Sequence, residues 1–145
     1  MAVVRDQPYT GQNFLVDLGD GSPTAFTEVS GLSSWIELTE YRDGSERESS
    51  RRKIPSLTKV ADVTLKRGIT GSLNLYQWFD QVRNGDRASQ RTVTITLLSE
   101  DRAPVLTWRL LRARPVGYTA GPLDAGACDV AVEELVLAYE RLELE

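Results

Sequence analysis

Residues 91–98 hold the most regular pattern in the chain, a strict alternation of apolar side chains and threonines. The apolar members are Val93, Ile95 and Leu97, and the threonines are Thr92, Thr94 and Thr96. A period of two places successive side chains on opposite faces of a β-strand. Val105–Arg112 repeats the alternation after a short polar link, and two such strands predict an antiparallel hairpin. We therefore expect a core built mainly from antiparallel β-structure.

Further segments carry strand patterns, and one carries the pattern of a helix. The strand segments are Gln12–Leu18, Trp35–Arg42, Lys59–Arg67 and Asp129–Leu144. The apolar spacing of Leu75, Tyr76, Phe79 and Val82 predicts a helix at about residues 73–84. Ser72 is the expected N-cap of this helix, and Gly85 the expected stop after it. About six or seven strands and one helix result.

Three local features refine this expectation. Pro115 should end its strand or place it at a sheet edge. Tyr118–Cys128 is rich in Gly, Pro and Ala and predicts a loop, and Glu133-Glu134 breaks the alternation, which predicts a β-bulge. The fold class is then mainly β, an antiparallel barrel or sandwich with the helix at one end or edge, in a single domain spanning residues 1–145.

The segment Arg42–Ser56 is polar and charged, with no apolar residue before Ile54. One interpretation is a disordered surface loop. The other is a long projecting hairpin, at about residues 42–56, whose charges contact a neighbour, because long loops in compact domains are uncommon and often functional.

Composition narrows the function classes. The chain has no His and one Cys, so it lacks a His general base, a His ligand, an intrachain disulfide and a Cys-based zinc site. No phosphate-loop motif is present, and Glu133 and Glu134 should face opposite sides of a strand rather than converge as an acid pair. We predict no catalytic, cofactor-binding or metal residues and expect Cys128 to be a small buried hydrophobe. The net charge of −4 disfavours a protein that coats nucleic acid.

The sequence shows no segment for membrane insertion, and its exposed aromatics and open sheet edges favour an oligomer. No apolar run approaches the roughly 20 residues of a membrane helix, and residues 1–10 lack a signal-peptide core, so we expect synthesis in the cytosol and no membrane insertion. Trp35 and Tyr41 share the face of a half-solvated strand with polar residues, so these aromatics belong either to a second core or to an interface. Open sheet edges also need a partner.

Several stretches together resemble the tail tube proteins of contractile phage tails and extracellular contractile injection systems, which are related to the type VI secretion tube protein. They are F-x-E-V-S-G-L (26–32), E-Y-R-x-G (40–44), R-K-I-P-S-L-T-K (52–59), V-T-L-K-R-G-I-T-G (63–71), L-Y-Q-W-F (75–79), W-R-L-x-x-A-x-P-V (108–116) and V-A-V-E-E-L-V-L-A-Y-E-R-L (130–142). The resemblance spans nearly the whole chain.

This resemblance implies a non-enzymatic tail-tube barrel that forms hexameric rings, which stack helically into a hollow tube. The implied partners are a contractile sheath, baseplate or spike hub proteins, and cargo in the lumen, either DNA or a protein toxin. Assembly would take place in the bacterial cytoplasm, in a phage tail or an injection particle that is released from the cell. Alternatives are an initiator or adaptor ring between tube and spike hub and, in a different class, a monomeric ligand-binding β-sandwich.

By similarity, the segment at about 42–56 corresponds to a hairpin that reaches the next ring. We expect inter-ring contacts from Arg42, Arg47, Glu48, Arg51, Arg52 and Lys53. A lumen face should remain polar, and our candidates are the Thr92, Thr94 and Thr96 face and the neighbouring Thr64 and Lys66 face. The alternative for both faces is an outer surface in contact with the sheath.

Overall fold

The structure, a computed structural model, describes residues 2–21 and 23–145; Met1 and Ser22 of the predicted domain lie outside them. It contains ten strands and one α-helix within those ranges. The strands are β1 (Phe14–Asp17), β2 (Pro23–Thr24), β3 (Glu28–Ser30), β4 (Ser34–Tyr41), β5 (Arg52–Val60), β6 (Val63–Gly68), β7 (Arg91–Leu98), β8 (Pro104–Ala120), β9 (Val132–Ala138) and β10 (Arg141–Leu144). The helix α1 spans Asn74–Arg83, and a 3₁₀ turn follows at Arg87–Ser89.

Eight strands form one sheet that curves around a single core. Its order is β2-β1-β7-β8-β9-β6-β3, with β10 added beside β8, and every pairing is antiparallel. Strands β4 and β5 pair only with each other, as a separate two-stranded sheet. The predicted mainly β, antiparallel architecture with one helix is confirmed.

Strand β8 links the two halves of the curved sheet. Its first part pairs with β7 and β10, and from Arg114 onward it pairs with β9. Arg112 has a φ of 54°, and the register with β9 shifts between Pro115 and Gly117, so the strand bends where it changes partner. The expectation that Pro115 ends the strand is wrong, because β8 continues to Ala120. The alternative, that Pro115 lies at a sheet edge, is correct for the side that faces β7, because β7 pairs with β8 only as far as Ala113. The predicted loop at Tyr118–Cys128 therefore begins three residues late, after Ala120.

Helix α1 packs its apolar face onto the sheet. Leu75 and Trp78 are buried, and the Trp78 indole N–H donates to the carbonyl of Ser89 at 2.7 Å. The helix confirms the predicted range within one residue at each end, and Gly85 follows it with a φ of 85°. The predicted N-cap is wrong: Leu73 occupies that position, and the Ser72 hydroxyl instead donates to the Asn74 side chain. No helix in the described ranges is long and apolar enough to cross a membrane.

Two predicted strands are each broken in two. Lys59–Arg67 is interrupted at residues 61–62, where the hairpin joins the body, and Gly31 packs there with a φ of 92° against the Asp62 carbonyl. Asp129–Leu144 is interrupted at residues 139–140. The expected bulge at Glu133-Glu134 is also wrong, because both residues pair in regular register with β6.

Candidate assembly surfaces

The β4–β5 hairpin projects from the body with both of its faces in solvent. We expected Trp35–Arg42 to be half-solvated, with one face buried, and this is wrong because a two-stranded ribbon has no second layer in its own chain. Six large apolar side chains on it are between 46% and 66% exposed: Trp35, Ile36, Leu38, Tyr41, Ile54 and Leu57. An isolated two-stranded hairpin is marginal in water, so this ribbon requires an external cover.

A β-bulge distinguishes Leu57 within the hairpin. Ile36 faces Thr58 and Leu38 faces Pro55, so Ser56 and Leu57 together oppose the single residue Glu37. Leu57 is the most exposed of the six apolar side chains, at 66%. Bulges commonly redirect a side chain out of the regular pleat.

The hairpin turn spans residues 42–51, and residues 52–56 of the segment predicted at about 42–56 belong to β5. Several predicted contact residues are engaged inside this turn. Arg42 donates to the carbonyls of Glu46 and Glu48, both at 3.0 Å. Arg51 pairs with Glu40 at 3.0 Å, and Arg52 with Glu46 at 2.9 Å.

Arg47 and Lys53 are the basic residues among the predicted contacts, apart from Arg42, that form no ion pair in the described ranges. Both are exposed. The carboxylate of Glu48 accepts a 3.4 Å hydrogen bond from Ser50. The hairpin residues 34–60 hold six basic and five acidic side chains, which leaves eleven basic and sixteen acidic side chains elsewhere. The hairpin thus carries a net charge of +1 and the rest of the chain −5, so the two parts differ in the sign of their net charge.

The lumen candidates lie on outward faces of two separate strands. Thr64 and Lys66 are on β6, and the three threonines Thr92, Thr94 and Thr96 are on β7. Strands β8 and β9 lie between β6 and β7, so the expectation that these two faces are neighbours is wrong. Their position relative to a lumen stays a prediction.

Lys66 lies at the centre of a row of charges across β3, β6 and β9. Its ammonium is 3.3 Å from Glu134 and 3.4 Å from Glu28. The hydrogen bonds to Glu134 and then to Glu28 raise the pKa of Lys66. This outer face is therefore charged but internally paired.

A buried polar network ties the helix to the sheet, and sequence reasoning missed it. Arg67 donates to Glu133 and to Asn74, both at 2.6 Å, and Tyr118 donates to the second oxygen of Glu133 at 2.6 Å. Arg67 and Glu133 are 6% and 4% exposed. The hydrogen bond to Glu133 raises the pKa of Tyr118. The sequence did contain the signal, because Arg67 and Glu133 have the same parity as the buried Leu65 and Leu135.

Three further observations concern the acidic pair, possible metal ligands and the single cysteine. Glu133 points inward and Glu134 outward, which confirms that they do not converge. Within residues 2–21 and 23–145, no three His, Cys, Asp or Glu side chains are grouped so that they could hold a metal. The expectation that Cys128 is buried is wrong, because it lies exposed in the loop after β8.

An apolar cleft marks the seam where the curved sheet does not close. Residues of β1 and β3 both line it, although no hydrogen-bonded ladder joins these strands in the described ranges. Its volume is about 250 Å³. The lining residues are Gly11, Phe14, Thr27, Glu28, Val29, Leu32, Ile95, Leu97 and Trp108.

A curved antiparallel sheet with one packed helix and a projecting, uncovered hairpin defines the class of tail tube proteins. Residues 10–143 match the family described as T4-like virus tail tube protein gp19, and the chain belongs to this family. It is therefore a structural tube protein. No curated protein matches the chain.

Solved structures agree with this assignment. A chain of the anti-feeding prophage baseplate is 31% identical, with a TM-score of 0.82 and 97% of both chains covered. A chain of the sheath-tube complex of the extracellular contractile injection system PVC is 28% identical, with a TM-score of 0.85, over 95% of this chain and 91% of that chain. Hcp1 from Flavobacterium johnsoniae shares the fold, at 16% identity and a TM-score of 0.59, over 90% of this chain and 93% of that chain.

Proposed function

We propose that six copies of this chain, each a single domain spanning residues 1–145, form a ring, and that rings stack helically into the inner tube of a contractile particle. The observation that most directly supports this proposal is the solvent exposure of the six large apolar side chains on the β4–β5 hairpin, which are between 46% and 66% exposed in the described chain. A hairpin that reaches the next ring would bury them and bring its +1 charge against a body of −5. The contact is heterologous, since the two surfaces differ, and such contacts generate helical stacks.

The surroundings of the tube follow from the same proposal. A contractile sheath encloses it and baseplate or spike hub proteins lie at its end, which the similarity to chains of sheath-tube and baseplate structures supports. The lumen, lined by Thr64 and Lys66 or by the β7 threonines, conducts DNA or a protein toxin. The subunit has no catalytic role. It is made in the bacterial cytoplasm and leaves the cell within the particle, without inserting into a membrane.

Electron microscopy of the purified protein over a concentration series tests the assembly. Hollow tubes or stacked rings are expected. The decisive variant is Arg47→Glu with Lys53→Glu, because these cations have no ion pair in the described ranges and their reversal leaves the turn's own ion pairs intact. We expect rings to persist and stacking to weaken.

The matched control reverses two exposed cations of the body, Arg87→Glu with Arg114→Glu, which changes the net charge by the same amount. Equal loss of stacking in both variants would mean that total charge, rather than the hairpin, decides assembly. Unchanged tubes in the Arg47 and Lys53 variant would refute the inter-ring role of these residues. Exposed pairs contribute about 0–1 kcal/mol each, but six copies act together at each junction.

The second candidate is an initiator or adaptor ring, which the 31% identity to a baseplate chain favours. Such a ring would form but would not stack on itself at any concentration. The same microscopy series distinguishes the two functions. A persistent monomer would contradict both.

A further inference from the structure

The open seam between β1 and β3 is an apolar cleft that no side chain within residues 2–21 and 23–145 fills. Phe14, Val29, Leu32, Leu97 and Trp108 supply its apolar wall. Its volume of about 250 Å³ is far above the roughly 30 Å³ that one water fills. A cleft of this size, lined largely by apolar side chains, is large enough to receive an aliphatic side chain.

The hairpin of the same chain begins close in sequence to this cleft, and its strands are not among the elements that line it. Strand β4 begins two residues after Leu32, and the junction is pinned by hydrogen bonds from Ala61 to Ser33 at 3.3 Å and from Tyr139 to Ser33 at 3.4 Å. From there the ribbon extends outward with both faces exposed. Leu57 is 66% exposed and is not among the residues that line the seam of its own chain. A second copy is therefore a candidate source of a side chain that fills this cleft.

We propose that Leu57 of one copy enters the β1–β3 seam of a second copy in the next ring. This inference rests on the stacked tube proposed above and names the receiving surface. The donor and the cleft are both apolar. Glu28 at the rim shares Lys66 with Glu134, so this row of three charges has a net charge of −1 where the net positive hairpin would arrive. Because the donor and receiving surfaces occur in every copy, the contact repeats from ring to ring.

Disulfide trapping in assembled tubes tests the contact. In a Cys128→Ser background, Leu57→Cys is combined with Gly11→Cys, since Gly11 lines the seam and an added Cβ there meets no atom within 4 Å. The control combines Leu57→Cys with Leu123→Cys, which is 83% exposed in the loop after β8. Tubes are oxidised and run on denaturing gels without reductant.

The expected result is a ladder of linked subunits that extends beyond six for the Gly11 pair and none for the control. A ladder that stops at six would place the contact within a ring and overturn the inference. So would dimers from Leu57→Cys alone, which indicate contact between two hairpins, or intact tubes without linkage. Absence of tubes in the Cys128→Ser parent would instead contradict the proposed function, and the inference with it.

A second variant checks the energetics independently. Leu57→Asp should raise the protein concentration needed for tubes about tenfold or more, because a buried apolar side chain is replaced by a charge beside Glu28. Leu123→Asp makes the same chemical change outside the seam contact and should leave that concentration within about twofold. Equal responses of the two variants would overturn the proposal.

Discussion

Replacing Glu133 by Ala should destabilise the fold far more than the same change one residue later. Glu133 is 4% exposed and accepts hydrogen bonds from Arg67 and Tyr118. Its removal leaves the Arg67 guanidinium, which is 6% exposed, with Asn74 and the Ser72 carbonyl as its remaining partners. Breaking a buried ion pair from one side costs about 3–5 kcal/mol.

This magnitude is a large share of the roughly 5–15 kcal/mol that stabilises a domain. At about 2–4 °C per kcal/mol for a chain of this size, Tm should fall by roughly 6–20 °C. The control is Glu134→Ala, in which the residue removed is identical but faces outward, and its partner Lys66 retains Glu28. An exposed pair of this kind contributes about 0–1 kcal/mol.

Urea denaturation followed by circular dichroism, at concentrations below tube formation, measures both variants. A loss of less than about 1 kcal/mol in the free energy of unfolding for Glu133→Ala, or an equal loss for Glu134→Ala, would contradict a stabilising role of the buried ion pair. Arg67→Met with Glu133→Leu completes the comparison, because replacing both members by apolar residues removes the orphaned charge. The double variant should be more stable than Glu133→Ala alone.

Two further predictions concern the hairpin junction and the N-terminal segment. Gly31→Ala should lower the free energy of unfolding by about 2 kcal/mol or more, because φ is 92° and the new Cβ would overlap the Asp62 carbonyl. Gly11→Ala is the control, because an added Cβ at that position meets no atom within 4 Å. Thermal denaturation should separate the two variants, and equal stability would contradict the packing argument. The Arg5 guanidinium holds the pKa of Glu100 at about 2 instead of 4.5, so this pair stabilises the segment fully at neutral pH and stops doing so as pH falls from about 4.5 towards 2. Hydrogen exchange at the Val3 amide, which bonds the Val105 carbonyl at 2.8 Å, should accelerate over that range relative to its intrinsic rate, and Arg5→Gln should abolish the transition.

The regular elements were predictable because their periods are unambiguous. Strand β7 matches Arg91–Leu98, and α1 lies within the predicted helix, since alternation and helical spacing act locally. The continuation of β8 through Pro115 could not be read from the chain. The continuation depends on where the pairing with β7 ends. Beyond Ala113 that edge of β8 forms no hydrogen bonds to β7, so a proline, which lacks an N–H, is tolerated there.

The position of the hairpin was more predictable than its exposure, and its role in assembly stays a prediction. The charged segment by itself left a disordered loop and a projecting hairpin as alternatives, and the family resemblance favoured the hairpin. Nothing local showed that both faces of β4 and β5 would lie in solvent. The buried pairing of Arg67 with Glu133 was not predicted, although their parity with buried leucines places both side chains on the inward faces of β6 and β9. The seam was not accessible from sequence at all, because β1 and β3 meet only through the curvature of the whole sheet.

The shared strand β8 also has a mechanical consequence. Its 17 residues run unbroken through both halves of the sheet, paired first with β7 and β10 and then with β9. Sliding one half against the other must therefore shear several hydrogen-bonded ladders at once instead of opening them one bond at a time. We expect a subunit built in this way to resist shear between its two halves, so that in the proposed tube any compliance is concentrated at the junctions between subunits.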